Sequence, residues 1–130
     1  MATVFDDFVV FTPALGMEPL PAGPDVYQRL NQLYSDFESH SLIAAHQFTQ
    51  DWPTWEIHPK GDEMVVLLSG SATFVLQTES GQESHRLTNA GEFLIVPRNT
   101  WHTARIAEAC SLLFVTPGEG TLNETQPPAG

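Results

Sequence analysis

The segment Trp55-Glu56-Ile57-His58-Pro59-Lys60-Gly61-Asp62-Glu63 gathers two carboxylates and an imidazole, Glu56, His58 and Glu63, in one short stretch of chain. Glu56 and His58 are two residues apart, so on a β-strand both side chains leave the same face. Pro59–Asp62 reads as a turn. Glu63 then opens the next strand and can return to that face. A fourth group must come from elsewhere in the chain. His102 is the best candidate, because it follows the turn Pro97-Arg98-Asn99-Thr100 at the start of another strand. Imidazole and carboxylate together suit Mn, Fe, Ni, Zn or Co. Four ligands on rigid strands would leave open positions on an octahedral ion for substrate or oxygen. Unrelated surface acids and histidines can show the same local spacing, so spacing alone does not decide between the two readings.

Other residues are weighed beside this cluster. His46 is in phase with Leu42, Ala44 and Phe48. If that face points inward, His46 lines a cavity as an acid or base; the alternative is a hydrogen-bonded histidine with no chemical role. Trp52 is the best residue for the mouth of the site, and Arg98 could meet an anionic substrate at its rim. His40 and His85 read as loop and exposed-strand residues. Cys110, the single cysteine, cannot form an internal disulfide and sits in an apolar run, so it reads as core rather than nucleophile.

The elements that must position these groups are short. Val4–Thr12 could be a first strand or an extended arm, and Pro13–Pro24 reads as a Pro/Gly linker. A helix is predicted to start at Pro24–Asp25, with Val26, Leu30, Leu33 and Phe37 as one apolar stripe. From Ser41 onward, strands are predicted near Leu42–Phe48, Trp55–His58, Met64–Leu68, Ala72–Gln77, Glu83–Leu87, Glu92–Val96, Trp101–Ile106 and Ser111–Thr116. Strands this short and regularly spaced imply a sandwich or barrel. The expected organisation is an N-terminal arm and helix over residues 1–40, a barrel over 41–117, and a polar, frayed tail over 118–130, all in one domain.

With 130 residues, 42% of them hydrophobic, the chain can bury one real core. The 16 acids against five bases give a formal charge of −11, which leaves no basic stripe for a phosphate backbone. No nucleic-acid partner is therefore expected. No membrane partner is expected either: no cleavable leader opens the chain, and no apolar run is long enough to span a bilayer. A lone cysteine is compatible with a reducing cytoplasm, where the protein is expected to reside.

The pattern resembles the cupin superfamily, in its small single-domain form. Four residues separate His58 from Glu63 and six separate Glu63 from Gly70, as in the first cupin motif. Gly91, Pro97 and His102 match the second, and 20 residues lie between Gly70 and Gly91. Gln50, Asn99 and Ile106 depart from the motif residues Gly, Gly and Asn. Asn99 is a mild change, since Asn tolerates the left-handed conformation of a turn glycine. The larger departure is Glu56, which stands where the family carries its first His. The resemblance implies an all-β cupin jelly-roll barrel with a short N-terminal helix. It also implies one divalent metal ion (Mn, Fe, Ni or Zn) held by Glu56, His58, Glu63 and His102. Two carboxylates would cancel the ion's charge and favour oxygen-loving metals such as Mn(II) or Fe(II). Alternatively Glu56 pairs with Lys60, leaving a two-His-one-carboxylate set. The function implied is metal-dependent chemistry on a small oxygenated metabolite, of oxygenase, isomerase or lyase type; the alternative is a non-catalytic metal- or ligand-binding module. The expected partners are a small molecule and a second copy of the chain, with Val75 and Trp101 as outward apolar positions suited to a homodimer.

Overall fold

Apolar residues recur at a period of two through most of the chain after Ser41, and the backbone follows that period into strands. The computed structural model describes residues 1–127. Its elements are β1 (Asp7–Phe11), β2 (Met17–Pro21), α1 (Val26–Leu33), β3 (Ser41–Phe48), β4 (Trp55–Ile57), β5 (Glu63–Thr78), β6 (Gly81–Leu87), β7 (Phe93–Val96), β8 (His102–Pro117) and β9 (Leu122–Glu124). All strand pairs are antiparallel. One path runs β2-β1-β3-β8-β4-β9, and β5 joins it through β8 while also pairing β6 and β7.

Two long strands organise the barrel. The halves of β5 and of β8 were expected as four separate strands. They are continuous instead, because the register between β5 and β8 shifts in steps from Leu67 to Thr73, opposite Leu112 to Arg105, without ending the pairing. Gly70 has φ +77°, and a Cβ there would fall 2.1 Å from the Ala109 carbonyl oxygen. Only glycine lets the two backbones bend together at this point. Beyond the bend, the first half of β8 pairs β4 and the second half pairs β3. The same two strands thereby serve both sides of the barrel.

Most of the core fills the space between these strands: Val65, Leu67, Phe74, Leu76, Leu112 and Phe114 are all buried there. Cys110 belongs to this cluster, and its burial pushes the thiol up. A second cluster joins Phe8 and Val10 of β1, Val26 and Leu30 of α1, Phe37, and Leu42 and Ala44 of β3.

Several expectations for the flanking segments are corrected. The Pro13–Pro24 stretch is not only a linker: Met17–Pro21 is a strand paired to β1. Pro19 and Pro21 are admissible because β2 is an edge, where a missing N–H costs no ladder bond. The helix ends at Leu33, which is exposed, and the chain turns through positive φ at Ser35, Asp36 and Phe37 before Phe37 is buried. Asp25 stands at the N-cap but bonds Arg29 at 3.1 Å rather than the helix backbone. The expected tail contains β9, paired to β4; its last residues, 128–130, lie outside the described residues. Val75 is buried within the chain, so it cannot serve as an outward dimer contact. Phe93 and Ile95 on β7 are among the exposed large apolar residues. Among the described residues, no helix is long and apolar enough to cross a membrane.

Candidate metal centre

Strand pairing brings the cluster together. Glu56 of β4 faces His102 of β8 in register, so residues 46 apart in the chain become cross-strand neighbours. His58 follows β4 directly, and Glu63 is the first residue of β5. The turn before His102 is locked onto the same region. Asn99 adopts φ +63°, the left-handed conformation expected of it, and its N–H donates to the His58 carbonyl at 3.0 Å. Asp62 receives the Arg98 N–H at 2.7 Å.

The side chains converge tightly. Glu63 lies between the two imidazoles, with one oxygen 3.2 Å from His58 Nε2 and the other 3.1 Å from His102 Nε2. Glu56 Oε1 is 3.9 Å from each of those nitrogens. Glu56, His58 and His102 each offer a ligand atom within 4.8 Å of the others. His58, Glu63 and His102 are buried, at 4%, 2% and 0% exposure. Yet His58 Nε2, His102 Nε2 and Glu63 Oε1 have no aligned hydrogen-bond partner. Buried polar atoms left so are rare and costly, and a cation between them resolves all three at once. The donor set therefore fits a divalent metal.

The surroundings prepare the imidazoles for that role. His102 Nδ1–H donates to the Thr100 carbonyl at 3.0 Å, which leaves the Nε2 lone pair of the neutral ring facing inward. His58 Nδ1 bonds Thr121 Oγ1 at 2.8 Å. Thr116 Oγ1 donates to Glu63 at 2.6 Å. The charges are strongly coupled. Burial works against ionising Glu63, but the contacts with His102 and His58 outweigh it and hold its carboxyl at about 2. Burial and the neighbouring Glu63 charge push Glu56 up, against the opposing pull of the histidines. His102 is also raised: burial opposes its charging, and the Glu63 carboxylate overcomes that. Two carboxylates that share the same pair of histidines are thus shifted in opposite directions.

The centre opens on a cavity of about 720 Å³. Glu56, His58 and Glu63 line it, together with His46 and Trp52. His46 bonds the Tyr27 hydroxyl of α1 at 3.0 Å through Nε2, and burial lowers its pKa. Trp52 packs against Phe48, Phe74 and Phe114, and its ring centroid is 6.2 Å from that of His102. Arg98 is exposed in the turn after β7 and is not among the residues that line the cavity. Lys60 is exposed, and among the described residues no ion pair joins it to Glu56. His40 and His85 lie apart from the centre, bonded or paired to Glu38 and Glu83. Sequence reasoning missed Tyr27, Thr116 and Thr121. The one available signal for Thr121 was the Gly118–Gly120 turn, which can send the chain back toward β4.

No family model and no curated protein matches the sequence. Solved structures do match the fold. A cupin-2 domain protein from Shewanella frigidimarina superposes with a TM-score of 0.51 at 18% identity, over 59% of this chain and 70% of that one. The fold is that of the cupin superfamily. An oxalate oxidase superposes on this cupin barrel with a TM-score of 0.51 at 20% identity, over 63% of this chain and 45% of that one. Hydroxypropylphosphonic acid epoxidase from S. wedmorenis does so with 0.50 at 15% identity, over 58% and 43%. The barrel thus spans less than half the length of either enzyme.

Proposed function

We propose that this cupin is a metal-dependent enzyme acting on a small oxygenated molecule, with one divalent ion held by Glu56, His58, Glu63 and His102. The carrying observation is that three buried atoms, His58 Nε2, His102 Nε2 and Glu63 Oε1, converge without an aligned hydrogen bond among them. Glu56 is the fourth ligand on this reading, since it faces His102 across the strand pair and Lys60 stays in solvent. Cupin neighbours that include an oxidase and an epoxidase support an oxygenase, isomerase or lyase type of reaction.

A bound ion would supply Lewis acidity to a coordinated oxygen. The chain supplies the rest. Aromatic side chains on one wall exclude water, and β4, β5 and β8 fix the ligands. His46, whose pKa burial lowers, lines the cavity as a base, and the Tyr27 hydroxyl gives a transferred proton a second site. That same bond favours one other reading. A His46 already satisfied by Tyr27 is what a non-catalytic metal- and ligand-binding module would keep. A homodimer belongs to the proposal too, supported by Phe93 and Ile95 exposed on β7, which among the described residues pairs only β5.

Elemental analysis of protein purified without chelator is expected to find about one divalent ion per chain. An empty centre, with no rise in Tm on adding Mn, Fe, Ni or Zn, would overturn the proposal. Incubating a metabolite extract with metal-loaded protein and with His102→Ala separates enzyme from module. The enzyme depletes a compound that the variant leaves untouched.

A further inference from the structure

The cavity in front of the metal centre has an unusual charge balance for a site that handles oxygen ligands. Three carboxylates line it, those of Asp36, Glu56 and Glu63. Among the described residues no Lys or Arg lines it. The chain has only five such residues, and each is accounted for elsewhere. Arg29 is bonded to Asp25 and the Pro21 carbonyl, while Lys60, Arg86, Arg98 and Arg105 are exposed and outside the cavity lining. His46 also lines the cavity, and burial lowers its pKa, which disfavours its charged form.

We infer that the cavity selects an uncharged ligand: a small molecule with an apolar or aromatic body and two adjacent hydroxyl or carbonyl oxygens, and not a carboxylate or phosphonate. This rests on the metal-dependent reading given above and adds the class of substrate to it. Glu56 and Glu63 cancel a divalent ion, and Asp36, exposed at the edge of the lining, adds only a solvent-screened negative charge. A carboxylate entering the cavity meets no cation but the ion itself. Burying an anion without a fixed cationic partner is costly, whereas an uncharged ligand escapes that cost.

The walls supply what an uncharged ligand needs. Phe48, Trp52 and Phe114 form a contiguous aromatic surface, with ring centroids 5.6 to 6.1 Å apart. The Tyr27–His46 pair offers a polar contact from the α1 side of the cavity.

4-Methylcatechol and 3,4-dihydroxybenzoate test this directly. They share a ring and the same two adjacent hydroxyls, which lose the same protons on the metal, and near neutral pH they differ by one remote carboxylate charge. Calorimetric titration of each into manganese-loaded protein, under anaerobic conditions, is expected to show 4-methylcatechol binding at least roughly tenfold tighter. Asn31→Arg adds a cation to the lining from α1, outside the metal centre, and is expected to bring 3,4-dihydroxybenzoate to parity or beyond. 3,4-Dihydroxybenzoate binding as tightly as 4-methylcatechol in the wild type would overturn the inference, and so would neither binding while manganese is present. Manganese content is measured on the same samples. A centre that takes up no metal overturns the proposed function itself, an outcome distinct from metal bound with the wrong ligand preference.

Discussion

At the scale of residues, the ligand set is legible in the sequence because each member sits where the backbone gives it no choice. A strand period of two sends Glu56 and His58 to one face, and a Pro/Gly turn returns Glu63 to it. The threonines around them carry no such signature, since a hydroxyl that orients an imidazole looks like any other in the chain. Only the register of β4 with β8 and β9 places Thr121 against His58. His102→Ala is expected to abolish most metal binding, whereas His85→Ala, altering an exposed side chain, should leave metal content unchanged. Equal metal content in the two variants would place the fourth ligand elsewhere. Glu56 gives a finer test. Glu56→His should retain metal and shift preference from Mn(II) toward Zn(II) or Ni(II), because a third imidazole replaces a hard oxygen. Competition titrations that show no change in the order of metals would remove Glu56 from the set.

At the scale of elements, the sequence shows the strands but not their continuity. Ser69–Ser71 and Ala107–Cys110 look like breaks, yet the register only shifts there and β5 and β8 stay whole. Local composition cannot distinguish a break from a bulge; the pairing of the two strands decides. Gly70→Ala should therefore cost more than about 2 kcal/mol, from strained backbone and the collision with Ala109. A chemical-denaturation midpoint unchanged from wild type would contradict this. The segment after Pro117 was hidden for a different reason. It is polar and short, and its structure depends on a strand far away in sequence. Since Thr121 orients His58, Thr121→Val is expected to weaken metal binding by roughly tenfold or more while leaving the barrel folded. A metal titration indistinguishable from wild type would make β9 a merely structural strand.

At the scale of the whole molecule, the coupled charges tie stability to pH and to metal. Consider the metal-free protein first. Glu63 has its pKa depressed to about 2, so its contribution is present above its ordinary value of 4.5 and is lost as pH falls toward 2. Glu56 is raised, so folding favours its protonated form, and that contribution is lost as pH climbs through its folded value. His102 is raised as well. Its contribution is whole below 6.5 and disappears as pH rises through the folded value. His46 has the opposite sign for a histidine: lowered by burial, it stabilises above 6.5 and loses that as pH falls through its folded value. Acid thus removes the contributions of Glu63 and His46, and alkali removes those of His102 and Glu56. Above pH 6.5 the His46 contribution is already complete, so the metal-free Tm should decline as His102 gives up its proton. A bound divalent ion reverses that trend, because it takes the place of the protons on His102 and Glu56 and binds better as they leave. The gain in Tm on adding Mn(II) at fixed concentration is therefore expected to grow from pH 5.5 to pH 8. Calorimetry in two buffers of different ionisation enthalpy should record proton release on binding, largest at the acid end. A metal-induced gain that stays flat with pH, with no proton released, would mean that the ion does not sit between these histidines and carboxylates.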